Sequence, residues 1–248
     1  VLRGRTILFV GSSVTRRTWR AFKAILEDSS SFTDHKKHPL EYTTDTSNIT
    51  IKFRWAEYAL RALEVLQENK DTAKASDVVM VEVGVHTARF FRKLIAGHNF
   101  DISKPYFKQI MKATKAKYMD AAAIADYFLQ STAESLDALA SYIRLKSWLR
   151  DKTILRSSPA ANVPSQNLHH ILHEKLLKSS ADRHGVPAYP GHGWTYDEAT
   201  ARRAPCLKDE CQDPVRDACR LHMDTQGTFD EAKIHVHVVM EFLRRNQQ

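Results

Sequence analysis

Ser13 ends the triplet Gly11-Ser12-Ser13, directly after the apolar run Thr6-Ile7-Leu8-Phe9-Val10 and before a helix-forming stretch that carries Trp19, Phe22, Ile25 and Leu26. A serine hydroxyl becomes a useful nucleophile only when a base takes its proton, and histidine suits that task near neutral pH. His222, just ahead of the last helical stretch, is the base expected. Such a base needs a third group to orient it, and Asp217 and Asp224 are near in sequence. A backbone N–H at a strand-to-helix turn lies near a helix N-terminus and can stabilise a developing oxyanion. The N–H of Ser13 is therefore expected in that role as well. The same triplet also reads as a tight turn with a helix cap and no chemistry.

The elements that must hold these residues follow from the hydrophobic pattern. The opening run reads as a strand buried on both faces. A second strand is expected over Ile49 to Trp55, followed by a helix over Ala56 to Glu68 whose core face carries Leu60, Leu63, Val65 and Leu66. A third strand spans Asp77 to Val83 and ends in Gly84-Val85-His86. A fourth spans Lys152 to Arg156 and ends in Ser157-Ser158-Pro159. Helices are expected over 166–184 and 229–245. Ile234 to Val238 alternates like a strand, but its place after the last loop favours helix. Nothing breaks a helix between Lys104 and Arg150, so residues 104–150 read as a long helical insertion of two or three helices over the core. Strands alternating with helices predict an α/β fold with a parallel sheet covered on both faces and right-handed crossovers. Ligands in such sheets bind beyond the carboxyl ends of the strands. That rim would collect Ser13, His86, Arg156 and His222.

Composition narrows the classes. With 248 residues, 43% hydrophobic and 27% charged, the chain is long enough for a full core, and no Pro/Gly/Ser-rich linker divides it. One domain over 1–248 is expected. Only 8 Gly and 8 Pro argue against a turn-rich β-sandwich or barrel. The net charge of +8 is dispersed, in groups no tighter than pairs such as Arg16-Arg17, Lys36-Lys37 and Arg202-Arg203. A nucleic-acid partner is not expected, because no basic stripe is interleaved with aromatics. No run approaches the ~18–20 apolar residues of a membrane helix. The chain opens Val1-Leu2-Arg3 without Met, which reads as an excised domain or mature form. Cys206, Cys211 and Cys219 fall in one window. The spacing allows a disulfide from Cys206 to Cys211 or, with His222, a four-ligand zinc set, and the disulfide is preferred. No metal or cofactor is expected. His169, His170 and His173 read as a solvated helix face, and His235 and His237 as surface positions. Trp19 reads equally as core or as a substrate platform. Asn48-Ile49-Thr50 is an N-glycosylation acceptor if the chain enters the secretory pathway.

Four blocks also resemble a known family. Gly11-Ser12-Ser13-Val14-Thr15-Arg16-Arg17-Thr18-Trp19 is similar to the G-D-S-x-x-R-x-x-W block of the PC-esterase group of the SGNH (GDSL-like) hydrolase superfamily. That group includes trichome-birefringence-like polysaccharide O-acetyltransferases and capsule O-acetylation domains. Val83-Gly84-Val85-His86 resembles its third-strand Gly-His block, and Ile154-Leu155-Arg156-Ser157-Ser158-Pro159 its F-R-T-x-S-P turn. Leu221-His222-Met223 stands where the family has Asp-x-x-His. The resemblance implies a three-layer α/β/α flavodoxin-like fold and a covalent acyl-enzyme on Ser13, with His222 as base. It also implies an oxyanion hole from Ser13 with Gly84 or His86, and substrate contacts from Arg16 and Arg156. An ion pair at a strand end is the competing reading for Arg156. Two positions depart from the pattern: Ser12 replaces the Asp of G-D-S, and Cys219 stands where the orienting Asp would be, leaving that role to Asp217 or Asp224. The implied function is an acyl-ester enzyme, O-acetyltransferase or acetylesterase, on a glycan or polysaccharide in the Golgi lumen or outside the cell. An acetyl donor would be a further partner of a transferase. The alternatives are an inactive glycan-binding descendant and a sulfotransferase-like enzyme that cradles a nucleotide phosphate at Gly11 to Arg17.

Overall fold

The computed structural model describes residues 1–32, 40–87, 121–158, 164–191 and 225–246. Within them the chain runs β1 (Thr6–Gly11), α1 (Ser13–Leu26), β2 (Leu40–Thr43), β3 (Thr50–Trp55), α2 (Ala59–Glu68), α3 (Lys70–Ala75) and β4 (Val78–Val83). It continues through α4 (Ala121–Leu145), α5 (Ser147–Arg150), β5 (Thr153–Ser157), α6 (Pro164–His184), β6 (Ala188–Tyr189) and α7 (Thr225–Arg245). The strands form one sheet in the order β2-β3-β1-β4-β5-β6. All pairings are parallel except β2 with β3. The expected three-layer α/β/α architecture is therefore present.

Side-chain alternation along the central strands makes the three layers. Leu8 and Val10 of β1, Val79, Val81 and Val83 of β4, and Leu155 of β5 point to one face, where α2, α4 and α6 cover them with Leu66, Leu136, Leu139, Ile143 and Leu177. Their neighbours Ile7, Phe9, Val78, Met80 and Ile154 point to the other, where α1 and α7 supply Trp19, Phe22, Val239 and Leu243. This is why β1 and β4 lack polar alternation: a strand between two helical layers has no wet face. Trp19 is core. The helix expected at the end of the long insertion is α4, whose Leu136, Leu139, Ala140 and Ile143 are fully buried in the layer itself. Residues 104–120 lie outside the described residues.

Two strands were not foreseen. β2 has four residues that alternate half-buried and exposed, and β6 has two, so neither carries a hydrophobic run long enough to read. β2 is held to β3 as much by surface charge as by burial: Glu41 pairs with Arg54 at 2.6 Å and with Lys52 at 3.6 Å. The β2–β3 hairpin turns through Asn48, exposed and in the left-handed region at φ 49°.

Candidate active site

Ser13 is the first residue of α1, at the carboxyl edge of β1. Ser12 caps the helix, its hydroxyl accepting from the Val14 N–H at 3.4 Å. A serine thus caps the helix where the resembled block has an aspartate, as N-cap preferences allow. Ser12 and Val14 are buried, while Ser13 between them is partly exposed. The turn can be this tight only because residue 11 has no side chain: a Cβ on Gly11 would lie 2.0 Å from Thr15 Oγ1. Carbonyl Gly11 accepts from Ala56 N–H at 2.8 Å, tying the turn to the end of β3.

The segment after β4, Gly84 followed by a helical start at 85–87, meets this turn. Val85 packs against Val14, so Gly84 and His86 flank a residue in contact with the neighbour of Ser13. Gly84 has φ +132°, a conformation that L side chains rarely adopt. His86 stands edge-on to Trp55 and Tyr58, with ring centroids 6.2 and 6.0 Å apart. The Arg16 guanidinium lies 5.9 Å from the Trp55 ring centre. Ser13, Arg16, Gly84 and His86 therefore share one end of the sheet with two aromatic rings, Trp55 and Tyr58, that sequence reasoning did not single out. Trp55 carried a usable signal, as the last residue of a strand whose carboxyl end faces the rim.

Arg156 does not face that rim. Its side chain is only 3% exposed, and it is bonded to Glu82 at 3.1 Å and to Glu231 of α7. Of its two expected roles, the structure has the ion pair at the strand end, and a guanidinium enclosed by two carboxylates does not reach substrate. Glu82 and Arg156 are register partners on β4 and β5. Glu82 also accepts from Thr15 Oγ1 at 2.8 Å, the hydroxyl that crowds Gly11. Burial pushes the Glu82 carboxyl above its ordinary range, against the opposing pull of Arg156 and Thr15. Burial likewise raises Tyr189 beside this cluster. One signal for Glu82 was legible: a single carboxylate inside the apolar strand Val78 to Val83 is too costly to bury without a partner.

The histidines differ from expectation. His170 and His173 on α6 are buried rather than solvated, as is His235 on α7, whereas His237 is exposed. His235 Nδ1 lies 2.6 Å from the Glu231 carbonyl, which can only accept, so that nitrogen carries the proton. Burial lowers His173 to about 4 and, with Arg156 nearby, holds His235 well below 6.5. Asp217, His222, Asp224, the three cysteines, Arg89 and Arg92 lie outside the described residues. Among the described residues no group of three or more His, Cys, Asp or Glu could hold a metal, and no helix is long and apolar enough to cross a membrane.

No family model and no curated protein matches the chain. Solved structures do. Axe2, an acetylxylan esterase from Geobacillus stearothermophilus, superposes with a TM-score of 0.54 at 14% identity, over 96% of this chain and 94% of that one. LAE5, an alpha/beta hydrolase enzyme from the metagenome of Lake Arreo, gives 0.55 at 14% identity over 96% of each chain. BT4096, a gut microbial diltiazem-metabolizing enzyme, gives 0.57 at 11% identity over 96% of this chain, which spans about half of that protein (47%). The likeness is one of fold. It agrees with the three-layer architecture expected from the sequence.

Two outcomes follow from the buried charges. Arg156→Met leaves two buried carboxylates without their cation and lowers unfolding free energy by about 3–5 kcal/mol. Urea denaturation should show this loss, and combining it with Glu82→Gln and Glu231→Gln should restore most of it. His173 and His235 bind protons more readily unfolded than folded, so stability falls as pH drops below about 6.5, the histidine value in the unfolded chain. Urea midpoints at pH 7.5 and 5.0 check the sign, and His173→Asn should flatten the difference.

Proposed function

We propose that the chain is a serine-dependent acyl esterase acting on an esterified carbohydrate, with Ser13 as nucleophile and His222 as its base. The observation that carries this reading is the placement of Ser13. It is the one partly exposed residue of a buried, glycine-tightened turn, with its N–H at the start of a 14-residue helix and the Gly84 turn packed alongside. The reading is further supported by the acetylxylan esterases among the structural neighbours. Two of those structures are catalytic mutants, one with a serine and one with a histidine replaced.

In this mechanism Ser13 Oγ attacks the ester carbonyl while His222 takes its proton. The carbonyl oxygen becomes an oxyanion between the N–H of Ser13 and groups of the Gly84–His86 turn, where the positive end of α1 also favours negative charge. Collapse returns the proton from His222 to the leaving sugar oxygen and leaves an acyl-Ser13 ester. Water, or in a transferase a second sugar hydroxyl, then repeats the steps in reverse. Asp217 is assigned to orient His222. The half-buried rings of Trp55 and Tyr58 form a wall suited to the apolar face of a sugar ring, with the buried Arg16 guanidinium against Trp55. The glycan is placed in the Golgi lumen or outside the cell, a reading supported by the exposed Asn48 acceptor and the clustered cysteines.

Hydrolysis of p-nitrophenyl acetate and release of acetate from acetylated xylan test the chemistry. Ser13→Ala and His222→Ala should each lower kcat at least about a thousandfold. Binding of xylan with no turnover, unchanged in Ser13→Ala, would replace the esterase by a glycan-binding protein. Expression through a eukaryotic secretory pathway should yield a product whose mobility shifts on removal of N-glycans, and Asn48→Gln should abolish that shift. Absence of the shift in the parent would remove Asn48 as support for the compartment.

A further inference from the structure

The Gly84 turn is shaped from outside. A side chain on Gly84 would meet His173 Nδ1 at 2.8 Å, Ser158 Oγ at 2.9 Å and His173 Cε1 at 3.0 Å. An imidazole from α6 and a hydroxyl from the end of β5 thus occupy the space where any other residue at position 84 would carry its Cβ. The same hydroxyl reaches the Val83 carbonyl at 3.4 Å, the peptide leading into the turn. α6 is itself held at this height, because the Ser157 hydroxyl donates to Glu174, the residue after His173, and accepts from Gly191 N–H at 2.7 Å.

We infer that His173 is a positioning residue: its imidazole, seated with the Ser158 hydroxyl against the Cα of Gly84, fixes the direction of the backbone N–H groups that the Gly84–His86 turn presents beside Ser13. This rests on the reading of Ser13 as nucleophile, and it explains a residue that the chemistry otherwise leaves idle. His173 is 4% exposed, and its Nδ1 has no hydrogen-bond partner among the described residues. Contact with the Gly84 turn is what the position of the ring achieves. Burial keeps it neutral, so it adds no charge beside the oxyanion. The ring also lines a cavity of about 10 Å³, bounded by Thr87, Phe128, Thr132 and Leu176 among others, with room for about one water. Removing the imidazole would join its volume to this cavity and leave nothing bearing on Gly84.

Three variants separate positioning from plain packing. His173→Ala removes the wedge, His173→Asn keeps a planar polar group near the place of Nδ1, and Leu176→Ala enlarges the same cavity without touching Gly84. In His173→Ala, amide exchange across residues 84–87 should accelerate at least about tenfold while other buried segments are unchanged. Its kcat for p-nitrophenyl acetate, per serine titrated with a fluorophosphonate, should fall about 10- to 100-fold at constant KM, the scale of a displacement near 1 Å at a reacting centre. His173→Asn should recover kcat to within about threefold, and Leu176→Ala should retain parent exchange and kcat. Unchanged exchange at 84–87 in His173→Ala, or equal effects in Leu176→Ala, would overturn the inference. If the parent chain shows no serine-dependent hydrolysis, the esterase reading fails by that result. The exchange data then still decide whether His173 sets the turn.

Discussion

A buried arginine held between two carboxylates demands that everything carrying those groups stay in register. Arg156 on β5 faces Glu82 on β4 across one step of the sheet and reaches Glu231 on α7. Glu82 in turn holds Thr15 of α1, whose hydroxyl sits against Gly11. A dry charge cluster is worth little as a source of stability, because desolvation consumes much of the attraction. Its value lies in intolerance: a shift in β4, β5, α1 or α7 would separate charges that water cannot reach. The turn that presents Ser13 is thereby indexed to two strands and two helices at once.

The placement of the cluster follows from the alternation that builds the layers. Val78, Met80 and Glu82 share one face of β4, as Ile154 and Arg156 share one face of β5. Along each strand the apolar positions fill the core between the sheet and the α1–α7 layer, and the final inward position, near the carboxyl edge, becomes charged. On β4 the opposite face stays apolar to its end, with Val83 under the second layer, whereas on β5 it ends in Ser157. The α1–α7 side therefore carries a buried charge cluster at this edge, whereas the other side combines apolar packing with the Ser157–Glu174 bond to α6. The Gly84 turn is reached from that second layer, by His173 of α6.

Much of this was readable in advance, for physical reasons. The strands β1, β3, β4 and β5 announced themselves because a strand sandwiched between helices must be apolar throughout or alternate strongly. Ser13, Gly84 and His86 were expected at one edge because they follow such strands, and chain geometry delivers them there. β2 and β6 escaped because pairing, not composition, makes them strands. Arg156 was ambiguous because a single sequence does not reveal whether a cation at a strand end looks outward or back across the sheet. Only the partner Glu231, far along the chain on a helix, settles that. The α6 histidines were misread for a related cause. Their helix has apolar and polar residues on all sides, so the pattern did not say which face would be covered.

The way Arg156 is partnered also bears on the order in which the molecule can come into being. The Gly11 turn precedes β3 and β4 in the chain, and β1 can pair with both once residue 83 exists. Glu82 would then be buried with no cation, since Arg156 and Glu231 are synthesised much later. An N-terminal fragment on the ribosome must therefore leave that edge wet and unsettled. The Ser13 turn, translated well before these partners, is among the last parts of the protein to acquire its final shape.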